Sequence, residues 1–488
     1  MSGRRWIAGV LLALSTPAAA DQASDRARAV RGSEAAQRGD CTTALKDFAP
    51  LLKPERIATL GPMAAGVLTV ASLCEVRERR AEIAYALAVR ATKSADAPAQ
   101  AWKLRLAHEM QEGRTAAAVA TIEALANGNG AILNGIDVRW LWQVGTAARN
   151  GGDPELEQRF LKALAESYAP DPLDGDADPF RLRYAKLLLA RGDRAGALAT
   201  LRGVALPPVL RTMMLDRDLR PALPPGFDLK VATELRLEVD RGVTRAHPDR
   251  LSPILEVATG LRELGRPHEA LAVLEGAREA VGQGSFADIE DYRSWWWDAM
   301  FRTSMMLGDR EAAIAYLRTG IKLPENGGAN TSQVLNLAMV LDEAGRPRDA
   351  LALLSGGQPL GGTSPYGEMQ LRLARGCAHA QLGQKAEAAA ERTYMEAHAT
   401  DAPAALHQLL LCMGEQDAAA ANLSARLRDP DQRADALAEY SVYAPEPMPR
   451  PPSIIERNRR LLAARADVQS ALAGAGGAVT FNVQPAER

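Results

Sequence analysis

Six histidines and four cysteines are the residues best equipped for chemistry in this 488-residue chain, and their spacing offers little of it. His108, His247, His268, His379, His398 and His407 are scattered, with no His-Glu-x-x-His pair to grip zinc from one helix face. No Gly-x-Ser-x-Gly elbow occurs, and Gly128-Asn129-Gly130 is a turn cluster without the Lys-Ser or Lys-Thr a phosphate loop needs. Cys377, His379, His407 and Cys412 are zinc-capable by type. On helices, residues two apart point roughly 200° apart and residues five apart roughly 140° apart, which suits tetrahedral closure poorly. Asp174, Asp176 and Asp178 alternate as in some calcium loops, but Pro179 replaces the turn glycine and Ala185 stands at the twelfth place. That stretch reads as a solvated acidic loop. The sequence therefore points to no catalytic set, no metal and no cofactor.

The cysteines have a second use. Cys41 and Cys74 are 33 residues apart, Cys377 and Cys412 are 35 apart, and a wide gap separates the pairs. Of the three connectivities open to four cysteines, the local one closes two short loops, each worth about 3–4 kcal/mol on the chain-entropy view. The other reading is four buried thiols packed as small hydrophobes. The first twenty residues bear on the choice. Arg4 and Arg5 form a short positive start, Ile7 to Leu14 an apolar run, and Ala18-Ala19-Ala20 a small-residue site before Asp21. This reads as a secretory signal cleaved near Ala20/Asp21, too short for the ~20 residues of a membrane span. No cysteine stands there for lipid attachment. The expected destination is an oxidising space, most simply a bacterial periplasm, and no other stretch reads as a transmembrane span.

The elements that must position anything are helices. Hydrophobic residues make up 47% of the chain and aromatics only 5%, so a core of Ala and Leu favours closely packed helices over a β-sandwich. A net charge of −2 leaves no basic footprint for nucleic acid. A glycine followed five residues later by alanine recurs after helical runs: Gly39 with Ala44, Gly113 with Ala118, Gly192 with Ala197, and Gly265 with Ala270. Gly308 with Ala313, Gly345 with Ala350, Gly383 with Ala388 and Gly414 with Ala419 continue it. Gly152 marks a weaker copy, and Arg79 with Ala84 a copy in which the glycine is lost. A period in the mid-thirties with insertions signals a helical solenoid.

Residues 294–327 show why the unit folds. Trp297, Met300, Phe301 and Met305 recur at helical spacing. Gly308 ends the run, Asp309 starts the next helix, and Ala312, Ala313, Tyr316 and Leu317 line one face of it before Pro324. A lone hairpin of this kind cannot bury both faces, so neighbours must stack. These residues resemble the tetratricopeptide repeat family. Trp297, Gly308, Ala313, Leu317 and Pro324 match its pattern, with Met300-Phe301 where the family prefers Leu-Gly. Trp102 stands before Gly113 as Trp297 stands before Gly308, and Gly32 and Gly376 match the family's small residue on the first helix. The resemblance covers most of residues 24–427. It implies an all-α, right-handed α-solenoid of helical hairpins, with a short C-terminal strand as a further expectation.

The expected organisation is a signal over 1–20, an N-terminal solenoid half over 21–202, a Pro-rich hinge or degenerate repeat over 203–250, and a second half over 251–430. Capping helices, a Pro-rich linker and a tail fill 431–488. Pro445, Pro447, Pro449, Pro451 and Pro452 read as a stiff extended linker. Ser453 with Glu456 reads as a capping box opening a helix that carries Arg457, Arg459, Arg460 and Arg465. Its favoured role is closing the solenoid's open end; the other is meeting an anionic partner or a membrane surface. Val479-Thr480-Phe481-Asn482-Val483 alternates like a short strand with no obvious mate, fit to fold back on a helix or to join a partner's sheet edge.

In the family, the first helix of each hairpin lines the concave face. Carried over by the turn glycine, that implies Trp295, Asp298, Arg302, Met305 and Met306 in one unit. Leu335, Met339, Asp342 and Glu343 follow in the next, with Leu255 and Arg262 before them. Trp, Met and charged groups suit a protein or extended-peptide partner. Of Trp295, Trp296 and Trp297, the last two read as core and Trp295 as free. The expectation is a non-enzymatic interaction scaffold of the periplasm, serving by analogy the assembly or export of an envelope polymer or protein. The alternative is a glycan-active hydrolase or lyase on a helical array.

Overall fold

The computed structural model describes residues 17–325, 328–355, 364–448 and 450–485. The charged start and apolar run of the expected signal lie outside them, as does Pro449 of the linker. Among the described residues all regular structure is helical, and β-pairing is limited to isolated bridges, Glu325 with Gly328 and Val442 with Thr480. None of the helices is long and apolar enough to cross a membrane. The chain divides into two units, residues up to Phe180 and residues from Arg181 on.

The repeated glycine marks each hairpin turn. At Gly308 the backbone takes φ 76°, a left-handed conformation that ends one helix and costs glycine nothing. Asp309 then accepts the amide of Ala312 and caps the next helix. The other seven glycines of the pattern turn the same way. At the degenerate copy Arg79 itself takes φ 59°, the sole non-glycine with positive φ among the described residues. Ala84, five residues on, is buried, as are Ala44, Ala118, Ala197, Ala270, Ala313, Ala350, Ala388 and Ala419. Each lets two helices approach closely. Gly32 and Gly376 serve the same end: a Cβ on Gly32 would lie 2.5 Å from the Phe48 ring, and one on Gly376 would lie 2.5 Å from Leu409.

In the first unit, hairpins turn at Gly39, Arg79, Gly113 and Gly152. Phe48, Leu51, Leu68 and Leu87 form a core around Cys41 and Cys74, whose sulfurs lie at disulfide distance with Cα atoms 5.0 Å apart.

In the second unit, the Leu229–Ala246 helix packs on Ser252–Glu263, and five hairpins follow, opening with Ser252–Glu263, Ile289–Met306, Thr331–Glu343, Pro365–Gln381 and Pro403–Met413. Ser252–Glu263 touches Ile289–Met306, and Thr331–Glu343, Pro365–Gln381 and Pro403–Met413 touch in series; a hydrogen bond from Asn336 to Asp298 joins the two groups into one wall. Cys377 and Cys412, on neighbouring first helices, are at disulfide distance with Cα atoms 5.5 Å apart. Within 203–250 the chain forms helices Pro207–Leu215 and Leu229–Ala246, separated by a prolyl 3-10 turn.

The tail completes this unit. Ser453 and Glu456 form the capping box of the Ile454–Ala463 helix, which buries Ile455 and Leu462 against the last hairpin. Ala466–Ala475 packs beside it. The alternating segment finds its mate within the chain: Val442 donates to Val479, Phe481 to Val442 and Ala444 to Val483, a short parallel pairing. Phe481 and Val483 turn inward and Phe481 stacks on Tyr443.

Candidate functional site

The Ile289–Met306 helix carries three consecutive tryptophans, and helical geometry sends them different ways. Trp296 is fully buried and donates its ring N–H to Leu274 at 3.1 Å. Trp297 is half-buried, edge-on to Trp296 and beside Tyr316. Trp295 is exposed. Further along, Asp298 is buried, accepts Arg302 and receives the Asn336 amide at 3.0 Å, tying two first helices together.

Arg302, Met305, Met306, Met339 and Glu343 line a cavity of about 300 Å3 along the wall. Its other side is the chain's own tail: Glu446, Pro447, Met448, Arg450, Ser453 and Gln484. The wall expected to stand open thus has residues 446–448 and 450–456 across it. A second cavity of about 300 Å3 lies beside the first and takes in Met339, Asp342, Glu343, Arg310 and both Cys377 and Cys412, again under Arg450 to Arg457. The wall positions expected from the turn register divide accordingly. Arg302, Met305, Met306, Met339, Asp342 and Glu343 meet at these cavities, Trp295 stands outside them, and Leu335 and Leu255 pack into hydrophobic clusters. Gln408, Met448, Arg450 and Gln484 are cavity residues that sequence reasoning missed. The proline run was the one local sign of them, and it gave no destination.

Charge is buried in this wall. Arg262 is 5% exposed and donates to Thr259 at 2.9 Å and Thr303 at 3.4 Å. Burial, and then the Arg302 charge, push its pKa down to about 10. Glu263, also buried, faces Arg211 at 3.5 Å. Asp342 is 3% exposed and neither carboxylate oxygen has a hydrogen-bond partner. Burial, reinforced by neighbouring Glu343, raises its pKa to about 7.

The residues weighed for metals are engaged elsewhere. Cys377 and Cys412 face each other, His379 meets Gln384 at 2.7 Å, and His407 meets the Tyr440 hydroxyl at 2.8 Å. Burial, and next Arg426, push the His407 pKa down to about 3, so its ring is neutral. In the acidic loop, Asp171 and Asp176 accept backbone amides within the turn. Among the described residues no group of three or more metal-ligating side chains gathers.

The repeat is TPR-like in build: antiparallel helices, a left-handed turn and a buried alanine five residues on. No family model and no curated protein matches the sequence. Among solved structures, a tetratricopeptide repeat protein from Parabacteroides merdae aligns over 65% of this chain and 99% of its own, at 12% identity and a TM-score of 0.27. The Cut9-Hcn1 hetero-tetramer of the APC/C aligns over 92% and 86%, at 13% identity and 0.31. Naa15/Naa10 bound to HypK-THB aligns over 82% and 68%, at 13% identity and 0.20. Likenesses this loose leave the assignment to the hairpins themselves.

Proposed function

We propose that this chain is an exported, non-enzymatic interaction scaffold, holding a protein or extended-peptide partner along the first-helix wall of its second unit. The observation that carries the reading is a shared cavity: Arg302, Met305, Met306 and Met339 of the wall line it together with the chain's own Glu446, Pro447, Met448 and Arg450. Methionines adapt to irregular apolar side chains, and Arg302 and Glu343 supply charges that fix orientation. Two disulfide-distance cysteine pairs and the Arg4-to-Ala20 pattern support an oxidising, periplasmic setting. Service in the assembly or export of an envelope polymer or protein is the finer part of the proposal.

The test is site-specific photo-cross-linking from Met306 in the full chain, in intact cells, followed by mass spectrometry of the adduct. A discrete partner is expected, reduced at least tenfold by Met305→Glu and by Arg302→Ala, with Trp295→Ala reporting how far the contact extends. Full retention of every adduct in all three variants would end the groove reading.

A further inference from the structure

The segment crossing the wall is held by its ends. Upstream, Val442 and Ala444 pair with residues 479–483, and Gln484 fastens that pairing to the solenoid by donating to the Glu263 carbonyl at 2.7 Å. The Gln484 amide also donates to the carbonyls of Ala444 and Pro445 at 2.8 and 2.7 Å. Downstream, Asn458 donates to Leu411 at 2.7 Å, fixing the helix that follows Ser453. Between these anchors Arg450 turns to its own stretch, meeting Glu456 at 2.9 Å and Glu446 at 3.8 Å. A half-open cleft of about 300 Å3 lies on the wall side and one of about 540 Å3 on the other, and Arg450 lines both. The stretch is therefore bordered by open space on both flanks rather than sealed into a core. Met448 reaches toward the wall near Gly308 yet remains 52% exposed.

We propose that residues 444–448 and 450–453 are a built-in occupant of the wall, a strap that an extended, proline-flanked segment of the partner displaces by placing an apolar side chain where Met448 now lies. This rests on the wall being the binding surface. The strap's prolines favour the extended form in advance, so seating it orders little chain and exchanging it is cheap. Its anchors at residues 442–444 and from 453 on stay in place while the middle lifts. The wall is therefore self-occupied until a competitor arrives.

The probe is a fluorescein-labelled peptide of residues 444–454, titrated into the full chain by anisotropy. The wild type, occupied in cis, binds it weakly; Met448→Asp, which unseats the strap at a half-exposed residue, binds it at least tenfold tighter. A second variant locks the strap. A Cβ at Gly308 would lie 3.7 Å from the Met448 Cβ, within the roughly 3.5–4.5 Å of a disulfide, so Gly308→Cys with Met448→Cys joins strap to wall. Gly308→Cys alone controls for strain at the left-handed turn. The oxidised double variant should bind no peptide and regain binding on mild reduction that leaves the wild type unchanged. Equal binding by wild type and Met448→Asp, absence of binding by both, or undiminished binding by the locked chain would each overturn the strap. The peptide needs no partner. A tenfold gain alongside adducts that survive Arg302→Ala and Met305→Glu would therefore leave the strap standing and remove only the partner assignment.

Discussion

Glu109 and Asp342 are both carboxylates buried on the first helix of a hairpin, one in each unit, and their surroundings could hardly differ more. Glu109 is fully enclosed, and its oxygens accept Arg105 at 2.9 Å, the Tyr85 hydroxyl at 3.1 Å and the Thr121 hydroxyl at 2.6 Å. Asp342 is enclosed nearly as fully, at the edge of the second cavity, and accepts from no protein group. The first acid knits two hairpins together, because each lone pair replaces the water it gave up. The second is a standing cost, since an unpaired buried carboxylate keeps its desolvation penalty. Burial alone says nothing about whether a charge stabilises a fold; its partners decide.

The same chemical change at the two sites should therefore have opposite signs. Glu109→Gln replaces charge-assisted bonds with weaker ones and turns an amide donor toward other donors, so it should cost about 3 kcal/mol. The expected readout is faster hydrogen exchange in Ala99–Gln111 and a lower urea midpoint. Asp342→Asn removes a charge that nothing balances and should raise the stability of the second unit by about 2 kcal/mol at pH 8. A loss there would mean that Asp342 has a partner and would break the comparison.

The smallest effect is a dependence on pH. The folded pKa of Asp342, about 7, stands above its ordinary value of 3.8, so between those pH values the native chain holds a proton that the unfolded chain has released. Its contribution to stability is full below about pH 4, falls as pH rises, and levels off above about pH 7. The gain from Asp342→Asn should accordingly fade toward zero as pH is lowered to 4. Urea midpoints of both chains across that range check it; a gain that stays constant would sink the assignment.

The hairpins were legible because everything that makes them is local. A glycine, an aspartate cap and an alanine five residues on sit within one turn of chain, and even Arg79 could be read as a glycine's replacement. That the three tryptophans must divide between core and surface followed from helical angles; that Trp296 alone is fully enclosed, with Trp297 half-buried, did not. Local reasoning failed where residues far apart in sequence meet. The turn register put Leu335 on the wall, yet its neighbours across the next hairpin draw it into a core. The mate of residues 479–483 stayed hidden because a parallel pairing with 442–444 leaves no turn signature. Met448 and Arg450 carried no sign of the wall they face. That Asp342 lacks a partner is a fact about space, which no spacing rule records.

The tail pairing also sets an order of assembly. Each hairpin closes between neighbours in sequence and can form as soon as both its helices have been made. The latch cannot: Asn482 reaches back to Asp228 across 254 residues, and Gln484 to Glu263. Until residues 479–484 arrive, Val442, Asp228 and the Glu263 carbonyl lack these bonds, so the tail pairing is the last part of the second unit to close. A bulky fusion placed just beyond these residues would delay that final step.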